Sequence, residues 1–181
     1  MLSLALALTL ASTPLEAWNA ERQLTHRVGM FTLGGWAVAN LGVGAVGFAL
    51  ERDERLRFFH LGNLAWNVVN LGLAAVGLAH SYRAPAATLD AKELLLGSER
   101  EEKVFFINAA LDVAYLATAA FLWQRGDATA DARLVGLGQA LLVQGGFLLV
   151  FDTVMGLLNL RLTDRLVPQL EISPLGVSGT F

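Results

Sequence analysis

Two aspartates lie where an acidic side chain is hardest to solvate. Asp112 and Asp152 sit inside the apolar runs NAALDVAYLA and GGFLLVFDTV, and neither run contains a Lys or Arg to neutralise them. Asp112 is eight residues from one end of its run (104 to 112), and Asp152 is eight from the matching end of its own (152 to 160). The two are therefore expected at one depth on neighbouring antiparallel helices. Facing carboxylates in a low-dielectric place disfavour each other's charge, and desolvation disfavours both. At least one is expected to be neutral, donating to an Asn, to Tyr115 or to the other carboxyl. Three chemistries remain open: hydrogen-bond glue that fixes helix register, capture of a proton or cation during transport, and metal ligation. Ionisable groups inside a membrane are functional more often than not.

Other polar residues fall at helical spacings around this pair. His60, Asn63, Asn67 and Asn70 follow at i, i+3, i+7 and i+10, and so share one face of a helix. Asn108, Asp112 and Tyr115 form a second ridge, and Gln144, Asp152 and Asn159 a third. Asn40 adds an amide from a further segment. Polar groups at membrane depth must face protein or water, so these ridges are expected to converge on a bundle interior. Of the three histidines, His60 lies close behind the charged stretch ERDERLR, which suits a solvated interfacial role. His26 and His80 fall at equivalent ends of two segments and are the candidates for a metal or haem ligand pair. Interfacial histidines are common, however, and no metal or cofactor is expected.

Absences narrow the chemistry. The apolar runs hold no serine and no lysine, which removes a buried serine nucleophile and a Schiff-base lysine. There is no cysteine, no phosphate-binding glycine loop and no HExxH. An intramembrane enzyme would have to work through Asp, Asn and His alone.

The elements that position these residues are helical spans. The chain has 181 residues, 55% hydrophobic and only 16% charged, with a mean hydropathy of +0.52. A soluble domain usually carries about 25% charged residues. Four spans are expected, at about 28–50, 58–80, 104–123 and 134–160, each long enough to cross about 30 Å of hydrocarbon. The fold expected is all-α: a polytopic membrane protein built as one four-helix transmembrane bundle over residues 21–165. Residues 1–20 begin with an apolar run too short to span, followed by small and turn-forming residues. They read as a signal peptide or as an apolar N-terminal helix. Within the connection from 81 to 103, LDAKELLLGSEREEK reads as a short amphipathic helix at the interface. Residues 166–181, with two prolines, read as an extended tail. A net charge of −3 leaves no basic footprint for nucleic acid. The lipid bilayer is the expected partner, together with a second copy or other membrane proteins.

The first two spans repeat one phrase. WAVANLGVGAVGFA at 36–49 and WNVVNLGLAAVGLA at 66–79 match at nine of fourteen positions with an offset of thirty. Successive spans are antiparallel, so the copies are related by a two-fold axis in the membrane plane. Asn40 and Asn70 come out within about 3 Å of the same depth at 1.5 Å per residue, and are expected to pair. Gly42, Ala45 and Ala49 recur as Gly72, Ala75 and Ala79. This small-residue stripe is expected to bring the two helices close. A substrate path along the same seam is the other reading.

We call the face that holds the N-terminus side one. It carries eight Arg and Lys against five on the other face, but those five are packed into two short loops. Charge counts and charge density therefore disagree on orientation. A cleaved leader would place side one outside.

The segments GGWAVANLGVGAVG, FFHLGNLAWNVVNL, FFINAALDVAYLA and QGGFLLVFD resemble an uncharacterised family of small four-span bacterial inner-membrane proteins with an N-terminal leader. The resemblance covers roughly residues 20–165, with the WNxVNL and NAxLDVAY phrases the most specific. This chain has Gly62 and Asn63 where that family often has Met and Asn. The resemblance implies the fold and the bacterial inner membrane, and implies no activity. It points to Asn63, Trp66, Asn67, Asn70, Asn108, Asp112, Tyr115 and Asp152 as the working residues. The function expected is that of a structural, assembly or partner-binding membrane component. The alternatives are a small proton- or cation-linked transporter or channel using Asp112 and Asp152, and an intramembrane enzyme.

Overall fold

A computed structural model describes residues 14–83, 90–166, 170–173 and 176–179. Four helices account for most of them: α1 (Pro14–Leu50), α2 (Glu54–Arg83), α3 (Ala91–Thr129) and α4 (Ala132–Leu166). All four are long and apolar enough to cross a membrane, and the protein is a membrane-embedded helical bundle. Their outer surfaces carry the large apolar side chains, among them Val43, Val68, Val113, Phe121 and Val150. The polar residues are inside, the arrangement that hydrocarbon rather than water requires. Beyond the helices, β1 (Leu170–Ser173) and β2 (Gly176–Gly179) pair antiparallel, so part of the expected extended tail is a small hairpin. The candidate leader falls mainly on residues 1–13, outside the described residues. Residues 14–20 are the opening turns of α1.

Two connections are short enough to force antiparallel neighbours. Between α1 and α2, Glu51 Oε1 accepts the backbone N–H groups of Arg52 (2.8 Å) and Asp53 (3.0 Å). These bonds, with Asp53's first, hold its carboxyl below the usual carboxylate range. Asp53 in turn caps α2 through Leu56 N. Between α3 and α4, Ala130 adopts the left-handed conformation (φ 52°), and Asp131 N–H closes back on Gly126 O at 2.9 Å.

Helix α4 is central. It packs against α1, α2 and α3, whereas α3 barely touches α1 or α2. Glycine makes this placement feasible. An added Cβ at Gly136 would run into the backbone of Arg55 and Phe59 on α2. At Gly138 it would lie 2.7 Å from Trp123 N and 2.8 Å from Ala119 O on α3.

The α1–α2 hairpin uses different small residues from those expected. Gly42, Ala45, Ala49, Gly72 and Ala75 are exposed and Ala79 is only partly buried; a Cβ on Gly42 or Gly72 would meet nothing within 4 Å. The expected stripe therefore faces outward and does not pack the hairpin. The close approaches are at Gly47 against His60, Gly77 against Met30, Gly44 against Leu64, and Gly34 against Ala74. These contacts exchange under the offset of thirty: 47 and 60 become 77 and 30, and 44 and 64 become 74 and 34.

Length beyond the bilayer builds a second layer on side one. The stretch expected as a separate interfacial helix is the uninterrupted start of α3, capped by Asp90 on Lys92 N. Nothing breaks the helical pattern between Ala91 and Val104, so no turn forms. A 39-residue helix spans roughly 58 Å at 1.5 Å per residue, and its excess projects from the membrane. There Leu15, Trp18, Leu162 and Leu166 form a small core with Leu94 and Leu95 packed on it. Trp18 Nε1 donates to Leu162 O at 2.8 Å, and Arg165–Glu21 and Arg22–Glu101 ion pairs ring the layer.

Gly138→Ala should destabilise the bundle by about 1–3 kcal/mol through overpacking against backbone. Gly42→Ala and Gly72→Ala should change stability by less than about 0.5 kcal/mol. Thermal unfolding in detergent micelles measures both, and equal Tm shifts would contradict this packing.

Candidate functional site

The polar ridges turn inward as the spacing requires, but they separate into two clusters at different depths. The first is an amide network centred on Gln144, which is fully buried at 0% exposure. Gln144 Nε2 donates to Asn63 Oδ1 at 2.6 Å and to Asn40 Oδ1 at 3.5 Å. Its Oε1 accepts Trp36 Nε1 at 2.9 Å, and the Trp36 ring stacks on Phe147 with centroids 4.1 Å apart. Asn40 and Asn70 do not pair. Gln144, projecting from α4 between the repeat copies, takes the place of the expected Asn–Asn bond. Asn70 Nδ2 instead reaches Asn67 Oδ1 at 3.4 Å, and Asn67 Nδ2 returns to Asn63 O at 2.8 Å.

The second cluster is acidic and lies nearer side one. Asp112 and Asp152 are 2% and 5% exposed, and they face each other across the α3–α4 contact with Asn108 beside Asp152. Asp112 Oδ2 is buried with no hydrogen-bond partner among the described residues. Towards side one the first Lys or Arg along α3 is Lys103, nine residues from Asp112, and the first along α4 is Arg161, nine residues from Asp152.

A cavity of about 510 Å³ opens onto this pair. Its floor holds Asp112, Asp152, Asn108 and Asn70, and Arg100, Glu101 and His26 stand at its side-one end. The walls between are apolar and aromatic, with Trp66 set edge-on to Tyr115 at 4.9 Å and Phe105 edge-on to Phe151 at 6.3 Å. From Arg100 to Tyr115 the cavity follows α3 for roughly 22 Å at 1.5 Å per residue. It exists because α3 leans on α4 and leaves α2, so the gap between α2 and α3 has no close packing to fill it. Its lining stops at the level of Trp66, Tyr115 and Leu148. Asn63 and Gln144 are not part of its lining.

Several expected site residues stand apart from the cavity. Asn40, Asn63 and Asn67 belong to the amide network. His60 is wedged against Gly47 in the α1–α2 seam, with Nδ1 buried and unpartnered, so it is a packing residue more than a solvated one. Asn159 donates to Met155 O and accepts from Thr163, near the side-one layer. His26 and His80 are neighbours, lining a small pocket of about 50 Å³ with Arg22, Gln23, Ser81 and Glu101. Among the described residues no three His, Asp or Glu side chains converge on a metal site. Gln144 was legible only as a member of a ridge. Trp66, one of the residues the family phrases point to, lines the cavity, whereas Trp36, which stands at the matching place in the other repeat copy, closes the amide network.

The chain belongs to a family of unknown function, DUF6992, whose profile matches residues 32–153. The matched segment contains the amide network, the acidic pair and all the cavity residues except His26 and Met30. No curated protein and no solved structure matches.

Gln144→Leu should cost about 1–3 kcal/mol, because it takes the partner from the Trp36 N–H and from Asn63 Oδ1. Equilibrium unfolding in micelles measures the loss. Unchanged stability would show that the network does not hold α4 in place.

Proposed function

We propose that this DUF6992 member is a non-enzymatic binding protein of the bacterial inner membrane, in which Asp112 and Asp152 together hold an exchangeable proton or a positively charged ligand. The cavity carries this reading. Carboxyl groups that served only as register glue would be packed over. Here they floor a space of about 510 Å³, within the range of ligand pockets at about 300–1,000 Å³. Two facing acids with no cation beside them need a proton or a positive charge between them. The enzyme alternative gains the cavity but no oriented pair of base and nucleophile, so binding is preferred. The inner-membrane location rests on the apolar spans, the leader-like N-terminus and the family phrases. Transport would need a second conformation that opens side two, where Gln144 and the α4 glycines now close the bundle.

A role as an assembly component is the second reading. The outward-facing Gly42, Ala45, Gly72 and Ala75 favour it, since small residues on a lipid-facing surface suit close approach by another helix. The two readings are compatible in one molecule.

Dicyclohexylcarbodiimide, an apolar reagent for protonated carboxyls, tests the first reading on native membranes. Mass spectrometry should find an adduct on Asp112 or Asp152 at neutral or mildly acidic pH. The adduct should be absent from the Asp112→Asn, Asp152→Asn double variant, whose Tm should stay close to that of the parent. No adduct on either residue across that pH range, or collapse of the double variant, would return the pair to glue.

A further inference from the structure

We infer that the ligand of this cavity is a lipophilic organic cation that enters sideways from the lipid between α2 and α3. The inference rests on the reading of Asp112 and Asp152 as a binding site and adds the chemical class and the route. Three observations carry it. First, what the floor lacks is positive charge. Hydrogen-bond donors are already present, with Asn108 beside Asp152 and Tyr115 and Asn70 in the lining, yet none of them reaches the buried Asp112 Oδ2, and the group set against Asp112 is the other carboxyl. Another neutral acceptor or donor would duplicate groups already there. A cation would supply the missing counter-charge where water is scarce and the attraction is strong.

Second, the walls suit a cation with an apolar body and do not suit a hydrated metal ion. Trp66, Tyr115, Phe105 and Phe151 present aromatic faces and edges around the acids. Ring faces attract cations, and desolvated sites strengthen the effect. Inorganic ions would have to shed water against Leu33, Val69, Leu73 and Leu111, which offer no oxygen in return. By contrast, the apolar cleft of about 480 Å³ between α1 and α4 has no charged residue in its lining and no reason to select a cation.

Third, the opening is lateral. Val69, Leu73, Val104 and Leu111 line the cavity and are also exposed on the lipid-facing surface, because α2 and α3 make almost no contact. A molecule dissolved in the leaflet reaches the acids along this gap without passing Arg100 head-on. The Arg100 charge at the side-one rim opposes entry of small cations from water on that side. Arg22 is engaged with Glu101 at 2.8 Å and Arg27 with Ser81 at 2.7 Å, so both are held back from the cavity floor.

The test uses the full chain in nanodiscs of zwitterionic lipid with three probes of matched size and different charge. These are tetraphenylphosphonium, neutral triphenylphosphine oxide and anionic tetraphenylborate. Saturable binding is read by labelled phosphonium and by competition. Phosphonium should bind at one saturable site, the other two should compete poorly, and the Asp112→Asn, Asp152→Asn variant should weaken binding about tenfold or more. Val69→Trp, a substitution at an exposed position, should block the gap with both acids intact, which guards against misfolding of the acid variant. Equal binding of the oxide or the borate, or full retention by the double Asn variant, would overturn the inference. Carbodiimide labelling without phosphonium binding would refute the ligand class and leave the binding site standing; failure of both would remove the site itself.

Discussion

The closeness of α4 to its neighbours is the contact on which the rest of the bundle depends. A four-helix bundle in lipid has no hydrophobic drive to close it, so packing and hydrogen bonds must hold it. Gly136 and Gly138 let the α4 backbone lie directly against those of α2 and α3. That proximity brings Gln144 within reach of three side chains on two other helices, and sets Asp152 opposite Asp112. Replace the glycine contacts by ordinary side-chain spacing and the amides separate by more than a hydrogen bond tolerates. Backbone approach on side two thus determines the polar chemistry of the whole membrane interior.

The same contact divides the membrane region into unlike halves. Towards side two, small residues and amides bring α4 close to its neighbours. Towards side one, α3 stays with α4 and α2 stays with α1, and the two hairpins part. Larger residues fill the seams there, including Met30, Phe105, Phe151 and Met155. Aromatic and thioether side chains pack without bringing backbones together, so a cavity between the hairpins survives. The layer above it, with Trp18 on Leu162 and the Arg22–Glu101 pair, ties α1 to α3 and α4. The cavity is therefore bounded by a tight floor and a polar collar, and its open boundary is the α2–α3 gap.

How much of this the sequence disclosed depends on the kind of information required. The existence of four spans, their antiparallel order and the inward turn of the Asn and Asp ridges follow from hydropathy and a period of 3.6, and all are present. The shared depth of Asp112 and Asp152 followed from counting residues along two spans. What counting could not supply is which of two small-residue faces meets a neighbour. Gly42 and Gly44 differ by two positions, about 200° around a helix at roughly 100° per residue. Both faces are rich in Gly and Ala, so the repeat alone did not distinguish the lipid side from the seam. Gln144 was equally hidden, because its role depends on α4 lying between Asn40 and Asn63, a fact of tertiary arrangement. The continuation of α3 back to Ala91 was missed for a different reason: its charges look like an interfacial break, but they are satisfied by a collar that hydropathy does not reveal.

The repeat also explains why one site is closed and the other open. Trp36 and Trp66 hold matching positions in the α1–α2 hairpin, and the hairpin contacts themselves exchange under the offset of thirty. Considered alone, this pair of helices would offer two equivalent tryptophan edges. The second hairpin meets them unequally. Trp36 faces α4, where Gln144 takes its N–H and Phe147 covers its ring. Trp66 faces α3, which touches it only through Tyr115 at the edge and leaves the rest of its surface lining the cavity. A near-symmetric hairpin packed against an asymmetric partner thus yields one locked tryptophan and one available tryptophan. The available one stands over the only acids in the membrane interior of the described residues, and that coincidence follows from α3 carrying both Tyr115 and Asp112 one turn apart.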